Sequence, residues 1–186
     1  MQLLLIRHAL PLRSVVGQGS DPELSGIGFK QARRLPVALQ RYPISRPVSS
    51  RSGERAGPPR RRRRARPLRI RLPIEDIRAE NPQEWARIAA GHLPSGVEEM
   101  AFRSRVAAAV DDAVAAAGHD DTVAVFSHGG VINVVLHEIL GTTRLLSFPL
   151  DYASITRLLY AHSGRASVVA VNGTEHVWDL LPRNKR

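Results

Sequence analysis

The sequence predicts an α/β fold in which a mostly parallel central sheet lies between helices as a three-layer sandwich. Strand-like and helix-like segments alternate along the chain, which is the order that parallel sheets with crossover helices require. Two short apolar runs, at residues 2–6 and 122–126, lack polar alternation, as expected for strands covered on both faces. With 186 residues, 43% of them hydrophobic, we predict one domain over residues 1–186.

The first part of the chain predicts a strand, a loop and a helix. The apolar run at 2–6 is the strand, and residues 9–23 form a loop rich in glycine and proline. Ser25 is a suitable N-cap for a helix at 26–41, whose apolar side chains recur on one face. Pro36 lies inside this helix and is expected to kink or shorten it.

The second half of the chain contains the remaining predicted elements. Helices are favoured by three- and four-residue apolar spacing, and strands by runs of β-branched and apolar residues. In chain order we expect a helix at 74–90 with a break at Pro82, a helix at 98–117, a strand at 122–126, a helix at 131–140, and strands at 154–160 and 167–171.

Most of the net charge of +10 belongs to one segment. Ten arginines and one glutamate between Arg51 and Arg71 give that segment +9, and five of the arginines are consecutive. Such a run cannot bury a face, and its like charges repel. We therefore predict an irregular Arg-rich excursion over residues 45–72. The rest of the chain is nearly neutral, so the high isoelectric point is no general sign of nucleic-acid binding.

Composition excludes several classes of protein. The chain has no cysteine, which rules out a disulfide scaffold, a cysteine zinc site and a thiol nucleophile. The N-terminal apolar run stops at Arg7, too short for a signal peptide, and no later run has the roughly 20 residues of a membrane span. We expect a cytoplasmic protein with no membrane partner and no cofactor. We also expect no metal, because no set of His, Asp and Glu residues has the spacing of metal ligands.

Two histidines follow the two buried strands directly. His8 comes after the first strand, and His128 comes after the strand at 122–126. Ligands bind at this edge of open α/β sheets, so the two imidazoles are expected to face one crevice. Gly129 and Gly130 lead into a helix whose N-terminal N–H groups attract an anion, and Arg7 can bind two phosphate oxygens. Together these groups predict a pocket for a phosphoryl group.

The sequence resembles the histidine phosphatase superfamily, the phosphoglycerate-mutase-like group. The matching blocks lie at residues 4–9, 21–35, 102–106 and 123–132. The resemblance implies a phosphoglycerate-mutase-like fold and a phosphohistidine mechanism. In that mechanism His8 attacks phosphorus, while Arg7, His128 and Gly129 hold the phosphoryl oxygens. Ala9 stands where the family usually has glycine, a mild departure.

The resemblance breaks within the arginine tract. The family has a second phosphate-binding arginine in a Ser-Ser-Pro-Leu-x-Arg-Ala segment, but Ser49-Ser50 is here followed by a different sequence. Arg55, one position late, is the candidate for that arginine. The acid that protonates the leaving group should lie nearby. Glu80 is our choice for it, and Glu75 and Glu99 are alternatives.

A shifted reading frame accounts for this break. Arginine outnumbers lysine 25 to 2, which suggests GC-rich coding, where shifted frames readily give Arg, Gly and Pro. With GC-rich codons chosen for residues 51–60, one inserted base after Ser50 yields Pro-Leu-Gly-Arg-Ala-Arg-Arg-Ala-Ala-Ala. That is close to the family pattern, so we hypothesise that part of residues 51–72 is out of frame.

The function predicted from the sequence is that of a phosphomonoester hydrolase acting on a small phosphorylated substrate through His8. One alternative is a phosphoglycerate-mutase-like phosphotransferase. Another is an impaired family member whose Arg-rich segment binds polyanions such as nucleic acid. Nucleic acid is not favoured, because the tract contains no aromatic residue for base stacking. The sequence also allows a homodimer.

Overall fold

The computed structural model describes residues 1–12, 23–49 and 81–184. This part of the chain contains an open five-stranded sheet with the order β2-β3-β1-β4-β5. Its strands are β1 (Gln2–Arg7), β2 (Ile44–Ser49), β3 (Thr122–Ser127), β4 (Ile155–Tyr160) and β5 (Ala166–Gly173). The first three are parallel to one another, and β4 and β5 form an antiparallel pair beside β1. The predicted α/β fold is confirmed, with a sheet that is not wholly parallel.

Four helices and two 3₁₀ helices complete the described part. The helices are α1 (Gly26–Leu39), α2 (Pro82–Ala89), α3 (Glu99–Ala115) and α4 (Gly129–Leu140). The 3₁₀ helices span Glu175–Leu180 and Pro182–Asn184 near the C-terminus. The Ser25 hydroxyl accepts a hydrogen bond from the Gly28 N–H, which confirms it as the N-cap of α1.

The central strand β1 separates two hydrophobic cores, because successive side chains of a strand point to opposite faces. Leu3 and Leu5 pack into the core that includes side chains of α3 and α4. Leu4 and Ile6 pack into the core that includes α1 and the C-terminal 3₁₀ region. All four side chains are essentially inaccessible to solvent. The sheet is therefore covered on both faces, as a three-layer sandwich requires.

Two sequence-based expectations are corrected. The excursion expected over 45–72 begins instead as a strand, since Ile44–Ser49 pairs in parallel with β3. Pro47 has no N–H to donate to a neighbouring strand, so the sequence did not indicate a strand here. Proline is tolerated in edge strands, and β2 lies at one edge of the sheet that the described residues form. Residues 50–72 lie outside the described residues.

Among the described residues, Pro82 is the first residue of a helix. Asn81 caps α2 by accepting the Glu84 N–H, and Pro82 occupies the first turn, where a missing N–H costs nothing. Residues 74–80 of the predicted helix lie outside the described residues. Pro36 lies within α1, which ends at Leu39 rather than at Arg41.

Candidate active site

Strands β1 and β3 end side by side, and this register brings the two histidine motifs together. Arg7 is paired with Ser127 in the ladder, so His8 and His128 both begin at the same edge of the sheet. The His8 N–H donates to the Ser127 carbonyl at 2.9 Å, which extends the pairing by one residue. The crevice expected at the carboxyl ends of these strands therefore lies where the two motifs end.

The imidazole rings of His8 and His128 are in contact. Their centroids are 4.8 Å apart, and the rings meet edge to face at 65°. Both side chains are partly exposed, so their ring nitrogens are within reach of a bound molecule. The structure thus brings together two histidines from opposite halves of the chain.

The backbone fixes the proton on one nitrogen of His8. Its Nδ1 lies 2.9 Å from the carbonyl oxygen of Ala9. A carbonyl only accepts hydrogen bonds, so of the two neutral tautomers this contact favours the one with the proton on Nδ1. In that tautomer Nε2 carries the lone pair, which is the arrangement a nucleophilic imidazole needs.

Arg7 is buried beneath the two histidines, with 7% of its surface exposed. Its Nη1 donates to the carbonyl oxygen of Leu150. A Cβ added at Gly129 would lie 3.5 Å from Arg7 Nε, so the first residue of α4 directly adjoins the guanidinium. The arginine and the N-terminus of α4 therefore present N–H donors to one region, as an anion site does.

The start of α4 is tied to the following loop by Asn133. Its side-chain N–H groups donate to the carbonyls of Gly129 and Phe148, both at 3.0 Å. Its Oδ1 accepts the Phe148 N–H at 2.8 Å. This buried amide orients the turn that begins at Gly129 relative to the segment that leads to Leu150.

The loop after His8 is anchored to α1 at Leu10. The Leu10 carbonyl accepts hydrogen bonds from both the N–H and the hydroxyl of Ser25. The Leu10 N–H donates to Gln31 Oε1. A Cβ at Gly28 would lie 2.0 Å from that carbonyl oxygen, closer than any real contact. Only glycine allows this approach, which holds the residues that follow His8 against the helix.

One side of the site comes from a segment that no sequence motif indicates, the residues before β4. Because β4 runs antiparallel to β1, the residues that precede β4 lie at the edge where β1 ends. The Tyr152 ring has its centroid 3.7 Å from Arg7 Cζ and 5.4 Å from the His8 ring centroid. An aromatic residue before a strand does not by itself indicate a site residue. Tyr152 lies beside Arg7 and His8 because β4 runs antiparallel to β1.

The structure describes some of the predicted site residues and not others. Arg7, His8, His128 and Gly129 lie together at the sheet edge. Arg55, Glu75 and Glu80 lie outside the described residues. Glu99, the remaining alternative for the acid, is in the first turn of α3 and pairs with Arg103 at 3.7 Å.

Among residues 1–12, 23–49 and 81–184, no group of three or more His, Asp or Glu side chains is placed to hold a metal ion. No helix in these ranges combines the length and apolar character needed to cross a membrane.

The family model for the histidine phosphatase superfamily (branch 1) matches residues 71–173, more than half of the chain. The chain belongs to the histidine phosphatase superfamily. This confirms the resemblance drawn from the sequence motifs, and with it the expected enzyme class of histidine phosphatases. A comparison with curated protein sequences gave no match.

Solved structures of this superfamily share the fold over almost the full chain. YhfR of Bacillus stearothermophilus is 22% identical with a TM-score of 0.69, covering 95% of this chain and 98% of its own. A putative α-ribazole-5′-P phosphatase of Escherichia coli is 18% identical with a TM-score of 0.65, covering 93% and 97%. The mycobacterial glucosyl-3-phosphoglycerate phosphatase, in complex with VO3, is 26% identical with a TM-score of 0.62, covering 92% and 98%.

Proposed function

We propose that this histidine phosphatase is a phosphomonoester hydrolase that acts through a phosphohistidine intermediate on His8. The observation that carries the proposal is the His8 ring itself. Its Nδ1 faces the Ala9 carbonyl at 2.9 Å, and its ring touches that of His128. One nitrogen is thus occupied by the backbone, and the other is chemically suited to attack phosphorus.

In the first step, His8 Nε2 forms a bond to phosphorus and the phosphorus–oxygen bond to the leaving group breaks. The leaving oxygen takes the electron pair and must receive a proton. We propose Glu80 as the donor of that proton, with Glu75 and Glu99 as the alternatives. In the second step water attacks the phosphohistidine and gives a proton to the carboxylate that acted as the acid. The phosphorus–nitrogen bond breaks with its electron pair returning to His8 Nε2, and inorganic phosphate leaves with His8 neutral again.

The surrounding groups supply the charge stabilisation for both steps. Arg7 and the N-terminus of α4 at Gly129 provide donors next to His8, and His128 in its protonated form would add a further positive charge. We assign Arg55 as a further phosphate ligand on the sequence pattern. Phosphoryl transfer needs mainly positioning and electrostatic stabilisation, so these residues suffice for the chemistry without a metal ion.

We propose a small phosphorylated molecule as the substrate. Two of the compared phosphatases carry names for such substrates, α-ribazole-5′-P and glucosyl-3-phosphoglycerate. These are phosphates on compact hydroxylated molecules rather than on proteins. A panel of such esters, together with a generic aryl phosphate, is the appropriate first screen for turnover.

The test of the mechanism is to trap the intermediate. The full chain is incubated with ³²P-labelled substrate and quenched in alkaline detergent, because phosphohistidine survives alkali and is lost in acid. We expect label on His8, stable to alkali and released by acid. His8→Ala should carry no label and show no turnover.

His162→Ala is the matched control, since His162 is exposed in the turn between β4 and β5, away from the β1 edge. It should be labelled and should turn over substrate like the wild type. Label that resists acid, as phosphoserine does, or label retained in His8→Ala, would contradict the proposal.

A further inference from the structure

The segment of residues 150–154, between α4 and β4, is bound to the Arg7-His8 pair at four points. The Leu150 carbonyl accepts from Arg7 Nη1, and the Ser154 carbonyl accepts the Arg7 N–H at 3.0 Å. The Ala153 N–H donates to the His8 carbonyl at 3.1 Å. The fourth contact is the Tyr152 ring, which is 95% buried against both side chains.

The face of Tyr152 lies against the Arg7 guanidinium, 3.7 Å from Cζ to the ring centroid. Guanidinium groups prefer this stacking, and a buried stack is stronger than an exposed one because water does not compete. Contact with the ring face restricts the orientations that the guanidinium can adopt. The ring therefore sets the direction in which Arg7 donates.

An edge of the same ring meets His8. The two centroids are 5.4 Å apart at an angle of 63°, and His128 contacts the His8 ring at 4.8 Å. The His8 imidazole is thus bounded by two aromatic neighbours and by the Ala9 carbonyl at Nδ1. Rotation of the imidazole would move it into one of these groups.

The backbone that presents Tyr152 is strained. Ala153 has a φ of 58°, in the left-handed region that favours glycine. Two hydrogen bonds hold it there, from its N–H to His8 and from His176 Nε2 to its carbonyl at 3.0 Å. Strain of this kind persists where surrounding contacts fix it, and it concentrates at functional sites.

We infer that Tyr152 is a positioning residue that aligns the Arg7 guanidinium and the His8 imidazole for one bound phosphoryl group. The inference rests on the proposed function of His8 and Arg7. The aromatic ring is the part of Tyr152 that aligns the two side chains, because it contacts both of them. Position 152 should therefore require an aromatic residue, although it lies outside the sequence motifs.

The test compares Tyr152→Phe with Tyr152→Leu in the full chain. Phenylalanine keeps both ring contacts, whereas leucine fills space without a π face. We expect Tyr152→Phe to retain kcat/KM within about threefold and Tyr152→Leu to lose about ten- to a hundredfold, mostly in kcat. The dissociation constant for vanadate, measured by calorimetry, should rise about tenfold in Tyr152→Leu alone.

Tyr160→Leu is the control for a loss of stability without loss of alignment. Tyr160 is half-buried at the opposite end of β4, against the core on the α3 and α4 side. It should lower the melting temperature and leave kcat and the vanadate dissociation constant of the folded protein unchanged. A purely structural Tyr152 would make Tyr152→Leu behave in the same way.

Each outcome decides the inference. A folded Tyr152→Leu with wild-type kcat/KM and vanadate affinity overturns it, and so does a Tyr152→Phe as impaired as the leucine variant. If wild type hydrolyses no ester but binds vanadate, the binding comparison alone decides the inference. A wild type that does neither overturns both this inference and the proposed function.

Discussion

The rings of His8 and His128 touch at a centroid distance of 4.8 Å, although one follows the first strand of the chain and the other follows the third. Parallel pairing of β1 and β3, with Arg7 opposite Ser127, enforces this meeting. The contact matters chemically because a neutral nucleophile and a cationic partner at one phosphoryl group need different protonation states. Their proximity is the basis of the first prediction.

Replacing His128 should slow turnover without unfolding the protein. In the proposed mechanism His128 is a cationic partner of the phosphoryl group, so we expect His128→Gln to lower kcat by about 10²–10³-fold. His137→Gln, about two turns further along α4 with its ring on Thr142, is the control and should keep kcat within about twofold. Steady-state kinetics on an aryl phosphate measures both. Unchanged turnover in His128→Gln would remove His128 from the mechanism.

A methyl group at Gly28 should destabilise the protein. In Gly28→Ala the new Cβ would collide with the Leu10 carbonyl, so we expect the free energy of unfolding to fall by about 1–3 kcal/mol. Gly26→Ala, two residues earlier in α1, meets open space and should be neutral or stabilising by up to about 1 kcal/mol. Denaturant unfolding of the two variants makes the comparison. Equal effects would argue against the Leu10 contact.

Acid should weaken the fold partly through His176. Burial lowers its pKa below the usual 6.5, and Arg41 and Arg34 act in the same direction, against the Ala153 hydrogen bond and Glu175. Its Nδ1 is buried without a hydrogen-bond partner among the described residues. The unfolded chain therefore binds this proton more readily, and the stability from neutral His176 is lost as the pH falls below about 6.5.

The check is the pH dependence of the free energy of unfolding between about pH 7.5 and about pH 5. His176→Gln retains a side-chain N–H that can reach the Ala153 carbonyl but cannot be protonated, so its stability should fall less steeply. His162→Gln, at an exposed position, should follow the wild-type curve. Parallel curves for wild type and His176→Gln would show that His176 does not contribute.

The hypothesis of a shifted frame predicts a gain of activity. Replacing residues 51–60 with Pro-Leu-Gly-Arg-Ala-Arg-Arg-Ala-Ala-Ala moves the second phosphate-binding arginine from position 55 to its usual place in the family motif, at position 54, and kcat should rise about tenfold or more. A Gly/Ser segment of equal length removes the same arginines without restoring the motif and should give no gain. Sequencing the locus DNA from independent clones is the direct test. The same arginine tract in close relatives would end the hypothesis.

The elements at the centre of the sheet were predictable because burial leaves a simple pattern. The runs at 2–6 and 122–126 match β1 and β3 to within one residue. The meeting of His8 and His128 followed from that, since the ends of neighbouring parallel strands share an edge. The start of α4 also followed from its glycines, although the helix begins two residues earlier than expected.

What escaped prediction depends on long-range pairing. Strand β2 contains Arg46 and Pro47, and nothing local shows that it pairs with β3. Tyr152 enters the site only because β4 reverses direction beside β1, which residue spacing alone does not reveal. The family match begins at residue 71, so it bypasses both the first histidine motif and the arginine tract.

The placement of β1 between β3 and β4 has a consequence for biosynthesis. The strand that leads to His8 is synthesised well before both of its neighbours, because β3 and β4 follow it by more than a hundred residues. Its apolar residues therefore have no strand partner until β3 and β4 have been made, and such long-range pairing is typical of slow folding. A nascent chain truncated before residue 155 would therefore leave one edge of β1 unpaired, and Tyr152 would reach Arg7 and His8 only once β4 can pair with β1.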